Sequence, residues 1–209
     1  MDKMKNIESL IKKAIELKTK GLADDLISEE LNVSSETVTW LFTHAEETIA
    51  APGPKDVWIN WSTIGRSPFR VSLVSQVLAD MICKSLNTNN CSGDVVVGIA
   101  LSGLPLANMV ANHLGADLAV YTPSKQMTLR VAGRKMSGNI SSNFSDVKDS
   151  TCIIIDDVVT SGNTIEETIE YLRENGARIR IIAVLIDKRG INDIAGVPMV
   201  SMLKVLRIN

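Results

Sequence analysis

The chain has 209 residues, 45% hydrophobic and 22% charged, with a formal net charge of −2. That is room for one substantial core plus a small appendage, with a globular balance that excludes a disordered chain and no general drive toward nucleic acid or an anionic membrane. No apolar run is long enough to cross a bilayer, Met1 leads into a charged helical pattern rather than a signal-peptide core, and Cys83, Cys91 and Cys152 form no Cys-x-x-Cys pair. The expectation is a cytoplasmic protein with reduced thiols, no disulfide framework and no zinc site.

Ile7, Leu10, Ile11, Ala14, Ile15 and Leu17 make a helical stripe that Gly21 helps to end,. Leu22, Leu26, Ile27 and Leu31 make a second, shorter amphipathic helix. After Asn32-Val33-Ser34, a third helix is expected over 35–46, with Val38, Leu41 and Phe42 inward and Ser34 or Ser35 as N-cap,. Residues 26–41 resemble a helix-turn-helix in which Leu31, Val33, Val38 and Leu41 set the second helix at an angle for the DNA major groove. Ser35, Glu36, Thr39, Trp40 and Thr43 are then the outward residues able to meet DNA. The alternative is a three-helix cap or dimerisation element. It draws strength from charge, since residues 1–48 hold six Lys against ten Asp or Glu and the second helix has no Lys or Arg, while phosphate neutralisation supplies most non-specific DNA affinity. Lys12, Lys13, Lys18 and Lys20 offer a local basic edge.

Residues 50–54, Ala-Ala-Pro-Gly-Pro, read as a linker,, which divides the chain into domains at 1–50 and 51–209. Beyond it, 57–61 suggests a strand, 71–86 a helix, 95–100 a buried strand, 105–114 a helix and 118–121 a strand,. A polar stretch over 122–149 precedes a strand at 152–155, a helix ending at Asn175 with Gly176 as stop, and a strand at 179–186. Strands alternating with helices imply parallel crossover units.

Residues 152–164 concentrate the chemistry. The β-branched run 152–155 belongs in a parallel sheet and delivers Asp156 and Asp157 to the carboxyl end of the strand, where open α/β sheets hold ligands,. Adjacent carboxylates accept hydrogen bonds from vicinal ribose hydroxyls or from metal-bound water. Val158 and Val159 lead into Thr160, Ser161 and Gly162, whose small residues leave backbone N–H groups open to a phosphate at a helix N-terminus,. Asn163 and Thr164 open that helix, and Thr164 with Glu167 matches a capping box,. One crossover earlier, 98–107 repeats the strand, small-residue loop and helix, with Leu101, Ser102 and Gly103 at the turn.

Residues 152–164 resemble the phosphoribosyl-pyrophosphate (PRPP) signature of type I phosphoribosyltransferases, with Asn163 where that family often has Gly or Thr, and 98–107 resemble its pyrophosphate loop. Residues 63–68, Thr-Ile-Gly-Arg-Ser-Pro, are similar to the Lys-Ser-Gly-Arg-x-Ser-Pro segment of orotate phosphoribosyltransferases. Thr63 and Ser102 stand where those enzymes carry lysine, and 122–149 lacks their Lys-x-His-Gly loop. Lys125, Arg130, Arg134 and Lys135 are candidate phosphate contacts there. Lost cations bear on turnover, because pyrophosphate departure needs a stabilised polyanion, and one well-placed charge is worth on the order of a hundredfold in rate.

A helix-turn-helix before such a body resembles the archaeal orotate-phosphoribosyltransferase-like transcriptional regulators, echoed also by 186–191 and 196–198. The resemblance implies an α/β fold, a type I phosphoribosyltransferase-like parallel sheet flanked by helices behind a small all-α domain. It implies a homodimeric DNA-binding regulator that senses PRPP or a related phosphorylated metabolite. Asp156 and Asp157 would hold the ribose hydroxyls and, indirectly, Mg2+; 160–164 the 5-phosphate; and 101–103 the pyrophosphate. The alternatives are an active orotate phosphoribosyltransferase or a purine or xanthine transferase using the same phosphate site.

Overall fold

The computed structural model describes residues 2–43, 56–87, 94–127 and 138–206. The chain forms two compact units, Met1–Ser62 and Thr63–Asn209.

In the first unit, α1 (Asp2–Thr19), α2 (Asp24–Glu30) and α3 (Ser35–Thr43) close on one apolar seam. Leu10, Ile11 and Ala14 of α1 meet Ile27, Leu31, Val33, Val38 and Leu41, so the stripe read at helical spacing is the core of this unit. Asn32 takes a positive φ of 54° in the turn between α2 and α3, a conformation Asn tolerates better than most residues. The buried Leu31 and Val33 pin the turn from either side. The unit extends past the expected linker, because the Asp56 carboxylate reaches back to Ser34 and Thr37. Residues 57–61 form no strand: their β-branched and aromatic residues favour a pleated surface only where a sheet edge is offered. Trp40, Trp58 and Trp61, the chain's three tryptophans, all lie in this unit.

The short α4 (Ser62–Gly65), which starts on the last residue of the first unit, leads to α5 (Pro68–Ser85) in the second. Ser67 caps α5 by accepting from the Arg70 N–H, and Pro68 occupies the first turn, where a missing N–H costs nothing. Then follow β1 (Val95–Ile99), α6 (Gly103–Leu114), β2 (Asp117–Thr122), β3 (Asn139–Ile140), β4 (Thr151–Val159), α7 (Asn163–Glu174), β5 (Arg178–Asp187), β6 (Asp193–Ile194) and β7 (Val197–Lys204). The strands line up as β3-β2-β1-β4-β5-β7-β6. The five inner strands are parallel, and the two-residue strands β3 and β6 pair antiparallel at the edges. Val97, Ile99, Cys152, Ile154, Ile182 and Val184 share a core with Ile165, Ile169 and Leu172 of α7. The alternate residues Val96, Ile153 and Ile155 are equally buried and point to the other face, where α5 and α6 pack.

Two features of this sheet position a site. From β1 the chain steps to β2 on one side, and β4 then enters on the other side of β1, so the crevice between the carboxyl ends of β1 and β4 is a topological switch point, the place where open α/β sheets take ligands. In addition, Gly98 pairs with Ile155, so β1 stops level with Asp156 while β4 runs on to Val159. Asp156 and Asp157 therefore sit inside a nine-residue strand rather than at its end, beside the loop that leaves β1.

Candidate functional site

The β1–α6 loop folds against the two aspartates. The Ala100–Leu101 peptide is cis. Ser102 Oγ donates to Asp157 Oδ1 at 2.9 Å, and Asp156 Oδ1 accepts from the Asp157 N–H at 2.9 Å. A Cβ on Gly103 would lie 3.0 Å from the Asp156 Cα, from Asp156 Oδ1 and from the Ile155 carbonyl oxygen, so glycine is what lets the loop close on the strand. Both carboxylates, 9% and 5% exposed, thus meet the same loop although they are neighbours on a strand. Leu101 projects outward.

The β4–α7 loop is built differently. Gly162 is the N-cap of α7 at φ 88°, with no side chain to cap the helix, and a Cβ there would lie 2.6 Å from the Arg189 guanidinium. The loop is braced by Arg189, which donates to the Ser161 carbonyl at 2.7 Å. Arg189 is itself held by the buried Asp187, whose Oδ1 accepts from the backbone N–H groups of Arg189 and Gly190 at 2.8 and 2.9 Å. The Asn163 N–H meets Ser161 Oγ at 3.3 Å, and the amides of the first turn with the helix dipole make such an end attractive to an anion.

The capping box does not form. Thr164 Oγ1 accepts from Lys125 Nζ at 2.7 Å, and the Glu167 carboxylate accepts from Tyr121 Oη at 2.9 Å and from Ser124 N at 2.8 Å and Oγ at 3.1 Å. A local pattern suited to capping has been taken over by partners some forty residues earlier. Burial, then the bond to Glu167, pushes the Tyr121 phenol well above its ordinary range, so it stays a donor. Gln126 Nε2 donates to the Ala100 carbonyl at 2.7 Å. The structure thus joins Asp156, Asp157, Ser102, Gly103, Lys125 and residues 160–164 at one crevice; Arg130, Arg134 and Lys135 lie outside the described residues. Tyr121, Ser124, Gln126, Glu167 and Arg189 were not singled out for this crevice. Among them only Glu167 carried a signal, and that signal pointed to the wrong partner.

In the helical unit, Ser34 caps α3: its Oγ accepts from the Thr37 N–H at 3.2 Å. Asp56 Oδ2 accepts from the Ser34 N–H at 2.6 Å and from Thr37 Oγ1 at 2.8 Å. Ser35, Glu36, Thr39 and Thr43 are exposed as expected. Trp40 is not outward: it is half-buried and packs on the helical core, because a side chain this large gains more from the seam between the helices than from water. Of the proposed basic edge, Lys18 pairs with Asp24 and Lys20 with Glu16, leaving Lys12 and Lys13 exposed on α1. Among the described residues no cluster of three or more His, Cys, Asp or Glu could hold a metal ion, and no helix is long and apolar enough to cross a membrane.

Residues 70–192 match the family model of the phosphoribosyl transferase domain. The transcriptional regulator GfcR of Methanothrix thermoacetophila is 57% identical over 206 residues, 99% of this chain and 100% of that one. The GfcR of Halobacterium salinarum is 42% identical over 211 residues, 98% of each chain. Among solved structures, the orotate phosphoribosyltransferase of Aeropyrum pernix shares the fold with a TM-score of 0.56 at 23% identity, over 76% of this chain and 84% of that one. The type I phosphoribosyltransferase fold expected from the sequence is the fold observed. The chain belongs to the archaeal GfcR family of transcriptional regulators, whose body is a phosphoribosyl transferase domain.

Proposed function

We propose that this regulator binds DNA through its helical unit as a homodimer and is controlled by PRPP or a related phosphorylated metabolite held in the β1/β4 crevice. The observation that carries the ligand reading is a pair of buried carboxylates beside a helix N-terminus whose N-cap is a glycine, at the switch point. The carboxylates suit the ribose hydroxyls, residues 160–164 the 5-phosphate, and 101–103 the pyrophosphate. Mg2+ fits as a guest of the ligand. It commonly binds through one or two carboxylates, substrate phosphates and water rather than an all-protein cage, and Asp156 and Asp157 are the residues to orient that water. When bound it supplies charge neutralisation of the pyrophosphate.

Binding without turnover is favoured because Ser102 Oγ donates to Asp157 where the enzymes it resembles carry a lysine. On the DNA side, Ser35, Glu36, Thr39 and Thr43 form the exposed face of α3, with the Thr39 and Thr43 hydroxyls donating to carbonyls of their own helix. A second copy is supported by α5, where Phe69, Leu73 and Val77, 72%, 48% and 49% exposed, recur every fourth residue on the side opposite the buried face. Two such stripes pairing antiparallel would bring the Arg70 end of one helix to the Asp80 end of the other.

An anisotropy titration against the DNA upstream of its own gene, at low salt, with and without PRPP and Mg2+, tests the reading. Binding that shifts with PRPP is expected, and no binding at low salt would end it. The double variant Asp156→Asn, Asp157→Asn should bind DNA as the parent does and lose the PRPP response. Orotate should be consumed in the presence of PRPP and Mg2+ no faster by the parent than by that variant.

A further inference from the structure

The turn Ser124–Gln126 lies against both loops of the crevice, and each of its residues is bonded to a different part of it. Ser124 is held by Glu167 through its N–H and its hydroxyl. Lys125 reaches Thr164, in the first turn of α7, at 2.7 Å. Gln126 holds the Ala100 carbonyl, where the β1–α6 loop begins, at 2.7 Å. Glu167 stands one turn along α7 from Thr164, with its carboxylate turned to β2 and this turn through Tyr121 and Ser124. A charged acceptor taking three donors from one segment fixes that segment more firmly than neutral bonds would. The raised phenol of Tyr121 fits a permanent donor to Glu167.

We propose that Glu167 is a positioning residue: it holds Ser124 so that the Lys125 ammonium stands at the phosphate loop, and a phosphate monoester bound at residues 160–164 takes that ammonium in place of the Thr164 hydroxyl. The β1–α6 loop carries no lysine, and among the described residues the turn after β2 brings an ammonium to the phosphate loop, on which the Arg189 guanidinium is already engaged by the Ser161 carbonyl. Because Gln126 of the same turn holds Ala100, occupancy of the phosphate loop is passed through this turn to the 101–103 loop. This rests on the ligand reading above and adds the residue that makes the site competent.

Calorimetric titration of the full chain tests it, with PRPP plus Mg2+ as one probe and inorganic phosphate as the other. Lys125→Met should weaken PRPP by about tenfold or more, as expected for one charge-assisted contact. Glu167→Ala should weaken it by about tenfold, and Glu167→Gln, which keeps an acceptor for Ser124 and Tyr121, should recover most of that. The deciding measurement is the double variant. If Glu167 acts through Lys125, Glu167→Ala costs nothing further once Lys125 is Met, whereas a merely structural role gives independent, multiplying losses. Should Glu167→Ala fail to fold, Ser124→Ala removes one bond to the same carboxylate and must show the same dependence on Lys125. Parent-like affinity in Lys125→Met, or multiplying losses in the double variant, overturns the inference while leaving the ligand site intact. A parent chain that binds neither probe overturns the ligand site and the inference together.

Discussion

Helices α3 and α7 begin in opposite ways. At α3 the protein satisfies the helix end itself: Ser34 accepts from the Thr37 N–H, and the Asp56 carboxylate sits over the same turn. At α7 the N-cap is Gly162, with no side chain to offer; the preceding Ser161 hydroxyl accepts from the Asn163 N–H at 3.3 Å, and the Arg189 guanidinium braces the loop through the Ser161 carbonyl. Of the first-turn amides that every helix presents, α3 closes those of Ser34 and Thr37 with the Asp56 carboxylate and the Ser34 hydroxyl, whereas α7 meets that of Asn163 with the neutral Ser161 hydroxyl at 3.3 Å. On the proposed DNA reading, the Asp56 carboxylate over this turn disfavours a DNA phosphate at the N-terminus of α3, where helix ends often take one, and shifts the contact to its exposed side chains and to cations from α1.

Substitutions at either helix test the contrast. The largest effect is expected from Leu41→Ala, which empties the seam of the helical unit and should cost about 2–5 kcal/mol. Stabilisation of the body by PRPP should persist in that variant, measured as a ligand-dependent shift in thermal unfolding by circular dichroism. Loss of both would mean that the units do not fold separately.

Ser161→Asp gives α7 the kind of end that α3 has. It should leave folding intact and weaken PRPP on the order of a hundredfold through like-charge repulsion at the phosphate, and calorimetric affinity within threefold of the parent would argue against a phosphate there. The reverse exchange, Asp56→Ala, opens α3 and should cost about 1 kcal/mol, in the range of a lost cap, read as a lower urea midpoint for the helical unit.

A further expected effect concerns pH. Burial, and then the neighbouring Asp94, push the Cys152 thiol up from 9.0 to about 12. A thiol kept neutral in the fold but free to ionise in the unfolded chain gives stability that is fully present below pH 9 and falls as pH rises toward about 12,. Cys152→Ala should flatten that part of the urea-midpoint profile, and Tyr121, raised for a related reason, should leave a residual slope above its ordinary value of 10.0.

Much of the body was legible from residues because its signals are local. The β-branched run before Asp156 and the small residues after Val159 describe a buried strand and an open helix end without help from elsewhere, and the spacing of Leu31, Val33, Val38 and Leu41 describes the helical seam. What escaped was settled by distant partners. Thr164 and Glu167 fit a capping box until Lys125, Tyr121 and Ser124 are brought to them. Asp56 looks like a linker residue until it meets Ser34. Trp40 falls on the outward side of an isolated helix, yet the seam between the helices draws it in. Residues 57–61 have the composition of a strand and no edge to join. The two-residue strands β3 and β6 are too short for alternation to register.

The placement of the tryptophans has a practical consequence. All three lie in the helical unit and none in the body, so the crevice that holds Asp156 has no indole of its own unit to perturb. A change in tryptophan emission on adding PRPP would therefore not be a binding signal in the ordinary sense. It would be an optical measure of how far the news of an occupied crevice travels to the helices proposed to bind DNA, readable in the unlabelled protein.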